Sequence, residues 1–107
     1  MTQFREFDDV FALCGRRCTL EILTALEDGD ARYTDLLNGI APHPHGRTFG
    51  EALRVLITDG YIRHRVDERG TYYTLTELGS AFMTVLHELL LHLRQWRNLR
   101  DDGFLAA

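Results

Sequence analysis

Residues 47–75, RTFGEALRVLITDGYIRHRVDERGTYYTL, change periodicity part-way along, and that change decides the fold. Phe49, Ala52, Leu53 and Leu56 stand at i, i+3, i+4 and i+7, one face of an amphipathic helix. This helix is expected to begin near Arg47 or Thr48 and to end at Asp59-Gly60, since glycine suits the left-handed position just past a helix end. From Tyr61 the period becomes two, with Ile62, His64 and Val66 alternating with Tyr61, Arg63 and Arg65. Asp67-Glu68-Arg69-Gly70 reads as a turn, and residues 71–75 as a second, β-prone strand. A lone two-stranded hairpin is marginal in water, so this one must pack on helices supplied by the rest of the chain.

Upstream, Phe4, Phe7, Val10, Phe11 and Cys14 recur at helical spacing until Gly15 interrupts them. A second helix is expected from about Arg17, with Cys18, Ile22, Leu23 and Leu26 inward, stopping at Glu27-Asp28-Gly29-Asp30. Thr34 looks like the N-cap of a short third helix carrying Leu36, Leu37 and Ile40, with Asp35 favoured in its first turn by the helix dipole. Residues 41–46, Ala-Pro-His-Pro-His-Gly, cannot be regular structure, because each proline lacks a donor and biases its predecessor away from helix.

Downstream, Thr76 is expected to cap a long helix running to about Arg97 or Arg100. Its apolar residues form two heptad sets, Phe82, Leu89 and Trp96, and Leu78, Val85 and His92. Leu86, Leu90 and Leu93 widen that face, and Leu91 adds to it. So apolar a helix in a chain of 107 residues must cover more than its own core, and a partner subunit is the simplest cover. The dimer interface is therefore expected to use Phe82, Val85, Leu86, Leu89, His92 and Trp96, with Phe4 and Phe7 from the first helix. The element order makes a mainly α fold with a small β-hairpin, a winged helix-turn-helix with N- and C-terminal dimerisation helices. One domain, 1–107, is expected, with the winged-helix core at about 16–75 and the dimerisation helix at about 76–98.

Composition narrows the function. Apolar residues make up 45% and charged residues 26%, ordinary for a soluble domain. The longest apolar runs, such as Leu89-Leu90-Leu91, fall far short of the roughly 20 residues that span a bilayer. Met1-Thr2-Gln3-Phe4-Arg5-Glu6 lacks the basic and apolar regions of a signal peptide, so a cytoplasmic protein without a membrane partner is expected. There, Cys14 and Cys18 are expected to be buried and reduced rather than bridged. All twelve basic residues are arginine, and the net charge is −4. Between His43 and Tyr73, however, five arginines face four acids, a local balance of +1 where DNA contact is expected.

Four stretches resemble the HxlR family of MarR-related bacterial regulators. Residues 15–23, Gly-Arg-Arg-Cys-Thr-Leu-Glu-Ile-Leu, are similar to the family's glycine-basic-Trp-Thr-Leu-x-Ile-Leu opening. Residues 31–37, Ala-Arg-Tyr-Thr-Asp-Leu-Leu, resemble its Arg-Phe-Ser-Glu-Leu segment. Residues 53–62, Leu-Arg-Val-Leu-Ile-Thr-Asp-Gly-Tyr-Ile, resemble Leu-Arg-x-Leu-x-x-Asp-Gly-Leu-Ile, and residues 73–79, Tyr-Thr-Leu-Thr-Glu-Leu-Gly, resemble Tyr-x-Leu-Thr-x-x-Gly. The resemblance implies a homodimer that binds operator DNA through the fourth helix and the wing. The chain also departs from the pattern. Cys18 stands where the family usually has Trp, and no cysteine lies around residues 3–7, where redox-sensing members carry one ahead of the first helix. The loop at 42–46 is lengthened and the wing is short.

The outward face of the fourth helix carries Arg47, Thr48, Glu51, Arg54 and Thr58, with His45 just ahead of it. Arg pairs bidentately with guanine, Glu accepts from cytosine, and Thr meets polar edges or a thymine methyl. The plain alternative is a solvated face. Gly50 inside this helix costs about 1 kcal/mol relative to alanine, which a close approach to DNA or to another helix would explain. On the hairpin, Arg69 is the best wing contact, with Arg65 beside it, while Arg63 and Arg65 alternatively serve only as exposed strand residues. Asp67 and Glu68 dilute the field at that tip.

Five histidines do not make a metal site: His43 and His45 share a loop, and His87 and His92 are five apart on a helix. No metal or cofactor is expected, and His92 instead fits a polar register position in the dimer seam. No nucleophile elbow, phosphate loop or paired catalytic carboxylates occur, so an enzyme is not expected. The alternative function is a small-molecule-binding dimer, with Phe7, Phe11 and Trp96 (Phe4 nearby) lining a site for a small aromatic or hydrophobic effector. Both functions are compatible, since an effector that prefers one dimer geometry shifts its population.

Overall fold

The chain order is α1 (Arg5–Gly15), α2 (Thr19–Glu27), α3 (Tyr33–Asn38), α4 (Gly46–Thr58), β1 (Ile62–Asp67), β2 (Gly70–Leu75) and α5 (Glu77–Ala106). These elements come from a computed structural model that describes the backbone of residues 4–106 and side chains through residue 103. Met1-Thr2-Gln3, part of the segment expected to lack a signal peptide, lie outside the described residues.

The core forms where the apolar faces of α2 and α4 meet. Ile22, Leu23 and Leu26 of α2 are buried against Phe49, Ala52, Leu53 and Leu56 of α4, the face expected from the i, i+3, i+4, i+7 spacing. Leu36, Ile40, Ile62, Tyr73 and Met83 complete the cluster from α3, the loop after it, the hairpin and α5. The hairpin pairs in the register Ile62↔Leu75 to Asp67↔Gly70, leaving Glu68-Arg69 as a two-residue turn, with Gly70 at φ 118°. It does not stand alone. Tyr73 and Ala31 exchange backbone hydrogen bonds of 2.8 and 3.2 Å, adding a short third rung.

That rung corrects the start of the third helix. Thr34 lies inside α3, and the N-cap position falls to Arg32 in extended backbone. The physical reason is tertiary: Ala31 is held by Tyr73 and the Arg32 guanidinium donates to the Thr71 carbonyl at 3.3 Å, so the turn into α3 comes earlier. Ile40 is buried, yet it follows the end of α3. Likewise α2 begins at Thr19 rather than Arg17, because Cys18 adopts the left-handed conformation at φ 71°. α5 continues past Arg100 to Ala106.

The first helix forms as its spacing indicates but adds little to the core. Only Leu13 of α1 is buried, while Phe4, Phe7, Phe11 and Cys14 are exposed and Val10 is half-buried. Its apolar stripe therefore points away from the protomer's core. Of the two cysteines expected to be buried, only Cys18 is, and both are free thiols.

Thr76 is the joint between body and long helix. Its hydroxyl oxygen accepts from the Gly79 N–H at 3.1 Å, capping α5 as the sequence indicates, and the hydroxyl itself donates to the Gly60 carbonyl. Its own N–H donates to the Tyr61 carbonyl at 3.1 Å. Gly79 lies so close to that same carbonyl oxygen that a Cβ would collide with backbone. No helix among the described residues is long and apolar enough to cross a membrane.

Gly79→Ala is expected to destabilise the fold by about 2 kcal/mol or more, because the Tyr61 carbonyl has no freedom to yield. Thr76→Ala should cost about 1 kcal/mol through loss of the cap. Urea denaturation of both variants checks the order, and wild-type stability in Gly79→Ala would refute the close approach.

Candidate nucleic-acid interface

The roll of α4 about its axis decides what it offers to DNA. Phe49 is fully buried, and its ring meets the Tyr33 ring of α3 edge-on, centroids 5.1 Å apart. With that ring inward, Arg47, Gly50, Glu51, Arg54 and Thr58 fall on the opposite side at i, i+3, i+4, i+7 and i+11. Arg47, Glu51, Arg54 and Thr58 are exposed, and Thr48 is half-buried beside them. Arg54 reaches Glu51 at 3.5 Å, an exposed pair of little net strength that a base edge can displace. A Cβ on Gly50 would meet no atom within 4 Å, so no neighbouring helix of this chain accounts for that glycine. His45 occupies the N-cap position without a side-chain cap and is exposed, while Ile40 and Pro44, on either side of the exposed residues 41–43, are buried.

On the wing, Ile62, His64 and Val66 share one face with Leu75, Tyr73 and Thr71, and His64 stacks on Tyr73 at 4.9 Å. Arg63 and Arg65 lie on the other face and are exposed, as is Arg69 at the tip. Asp67 is already engaged: its Oδ1 accepts from the Arg69 backbone N–H at 2.8 Å and lies 3.9 Å from the Arg32 guanidinium. Arg32 was not among the sequence candidates, and with the Ala31–Tyr73 backbone pair it holds the wing to the start of α3. Arg69 borders a cleft with Asp67 and also with Asp30 and Asp35, two acids that sequence distance hides from it. Sequence reasoning also missed Arg16 and Arg17, which line one cleft with Thr48, Glu51 and Ala52 of α4. Their one signal was the glycine-basic opening of the second helix.

The expected dimer residues divide in two. Phe82 and Leu86 are half-buried against the protomer's own core, Phe82 lying 5.8 Å from the Tyr61 ring. Val85, His92 and Trp96 are exposed and Leu89 is half-buried. On α1, Phe4, Phe7 and Phe11 form a ladder with centroids 5.9 and 6.0 Å apart. Trp96 instead meets the Arg100 guanidinium, 4.9 Å from its ring centroid, and no aromatic pair joins it to that ladder among the described residues.

His87 Nε2 lies 2.8 and 3.0 Å from the two carboxylate oxygens of Glu27, tying α5 to the end of α2. No cluster of potential metal ligands occurs among the described residues. Burial pushes the Cys18 thiol above its usual pKa, with Glu21 adding to the rise and Arg17 opposing it, so the thiolate is disfavoured. Cys14 and Cys18 border a cleft of about 160 Å³ with Ile40, Pro42 and Pro44.

No curated protein sequence matches the chain. Among solved structures it is similar to a protein described as a transcriptional regulator of the MarR family from Enterococcus faecalis V583. That likeness has 17% identity and a TM-score of 0.82 over 94% of this chain and 93% of that one, and it shows the fold. The reduced form of the transcriptional regulator YodB from B. subtilis is 26% identical, with a TM-score of 0.73 over 85% of this chain and 89% of that one. Quinone-bound YodB is 27% identical, with a TM-score of 0.72 over 85% and 98%. The HxlR-like helix-turn-helix family model matches residues 13–101, a span that runs from the buried Leu13 through α4 and the hairpin into α5. The chain belongs to the HxlR-like helix-turn-helix family.

Proposed function

We propose that the chain is a sequence-specific DNA-binding transcriptional regulator that acts as a homodimer in the cytoplasm. The observation that carries this is the outward stripe of α4, where Arg47, Glu51 and Arg54 flank a glycine with nothing against it. An α-helix is about 10–12 Å across and the major groove about 12 Å wide, so a helix whose outer side has no bulk at Gly50 sits deeper in the groove. Arg47, Thr48, Glu51 and Arg54 read or position the DNA, and His45 lies where the loop meets the groove edge. Arg65 and Arg69 bring the wing to the backbone or minor groove. The two reading helices of a dimer would lie about 34 Å apart, one helical turn of DNA.

In this proposal residues 16–75 form the DNA-binding core of a single domain, and residues 76–98 the dimerisation helix. Val85, Leu89, His92 and Trp96 form its seam, extended by Phe82 and Leu86 and joined by Phe4 and Phe7. The support is apolar surface without cover: Trp96 is 57% exposed and Phe4 58% in the protomer. An effector fits the same surface. The phenyl ladder of α1 and the indole of Trp96 suit a flat aromatic molecule, and YodB is known bound to a quinone. A ligand-binding dimer with weak DNA affinity is the second reading that this ladder supports.

Fluorescence polarisation with a duplex from the gene's own upstream region, at two salt concentrations and against a random duplex, tests the proposal. Specific, salt-sensitive binding is expected, and equal binding to every duplex would favour the ligand-binding dimer. Arg54→Ala should weaken operator binding by about 1–3 kcal/mol with unchanged thermal stability. Gly50→Ala should do two opposite things: stabilise the fold by about 0.5–1 kcal/mol, measured by urea unfolding, and weaken operator binding. Trp96→Glu should give a folded monomer by light scattering, and a persistent dimer would remove Trp96 from the seam.

A further inference from the structure

Arg16 and Arg17 occupy the turn between α1 and α2, where Cys18 in its left-handed conformation ends the turn. Both are exposed, and neither forms an ion pair within 4 Å among the described residues. The turn faces the reading helix directly: both arginines border a cleft of about 170 Å³ whose other wall is Thr48, Glu51 and Ala52 of α4. Glu51, the acid in that cleft, is already turned to Arg54 at 3.5 Å. Acids do lie nearby. Glu21 shares the neighbouring cleft with both arginines, and Asp9 and Asp59 border another with Arg16, but none approaches to ion-pair distance. Arg69 at the wing tip, by contrast, shares its cleft with three aspartates.

The geometry points to a phosphate anchor: we propose that Arg16 and Arg17 grip the DNA backbone beside the reading helix, an inference that rests on the DNA-binding function proposed above. A helix of 10–12 Å fills a groove of about 12 Å, so whatever flanks its outer half must meet the groove wall, and that wall is phosphate. Thr48 and Glu51 belong to the face that enters the groove, and the two arginines lie next to them without entering it. Guanidinium suits this position, since its planar fork binds phosphate oxygens bidentately. Phosphate contacts fix register on the duplex and carry no sequence information. The turn then supplies the salt-dependent share of affinity that the acid-lined wing tip supplies poorly, and α4 is left to discriminate.

The test is the salt dependence of binding by the full chain, measured for the upstream duplex and a random duplex of equal length. Each neutralised phosphate contributes a slope of about 0.9 in log K against log salt, so two arginines in each of two subunits give about 3.5. The Arg16→Ala, Arg17→Ala double variant should flatten the slope by about that amount and weaken both duplexes by the same factor. The charge-keeping Arg16→Lys, Arg17→Lys variant should retain most of the slope, and circular dichroism shows whether each variant is folded. An unchanged slope in the alanine variant overturns the anchor while leaving DNA binding intact. A loss confined to the upstream duplex also overturns it, making the arginines base readers. Failure of the wild-type protein to bind any duplex overturns the DNA-binding function itself, and the anchor with it.

Discussion

The burial of Phe49 is the contact from which the rest of the molecule takes its orientation. Its ring is removed from solvent between α2 and α3, with Tyr33 edge-on against it. Burying an aromatic side chain removes 150–250 Å² from water, and losing it costs about 3–5 kcal/mol, a large part of a small domain's stability. A helix held so firmly along one face has no choice about the other. Arg47, Gly50, Glu51 and Arg54 are turned outward because Phe49, Leu53 and Leu56 are turned in.

Around that fixed helix, charge is distributed by neighbours distant in sequence. The chain is acidic overall, at −4, yet its acids are not spread evenly around α4 and the wing. Asp67 is occupied in the wing turn by the Arg69 backbone and Arg32. Asp30 and Asp35 crowd Arg69, and Arg16 and Arg17 stand beside α4 without a carboxylate in contact. In a field screened over about 8–10 Å, this local arrangement sets the potential around each arginine, and net charge does not.

The apolar surface follows a different logic. α2 and α4 bury their stripes within the protomer, whereas α1 and the outer part of α5 turn theirs to solvent. Thr76 and the close packing of Gly79 on Tyr61 set the angle at which α5 leaves the body, and the His87–Glu27 contact holds it there. Any partner that covers α5 is thereby linked mechanically to α4, because Gly60 and Tyr61 follow shortly after that helix.

Local sequence pattern alone was enough for much of this. The i, i+3, i+4, i+7 run from Phe49, the alternation from Ile62, the cap at Thr76 and the family motifs specified the element order and the family, because each is encoded within a few residues. Candidates on α4 were legible for the same reason, since the inner face of a helix dictates the outer. Tertiary structure decided the rest. Thr34 lost the N-cap position because Tyr73, far along the chain, holds Ala31. Cys14 faced outward with the stripe of α1, because periodicity reveals that a face is apolar and not what it will pack against. Arg16, Arg17 and Arg32 gained their places beside α4 and the wing through contacts between elements, which no spacing within one element records.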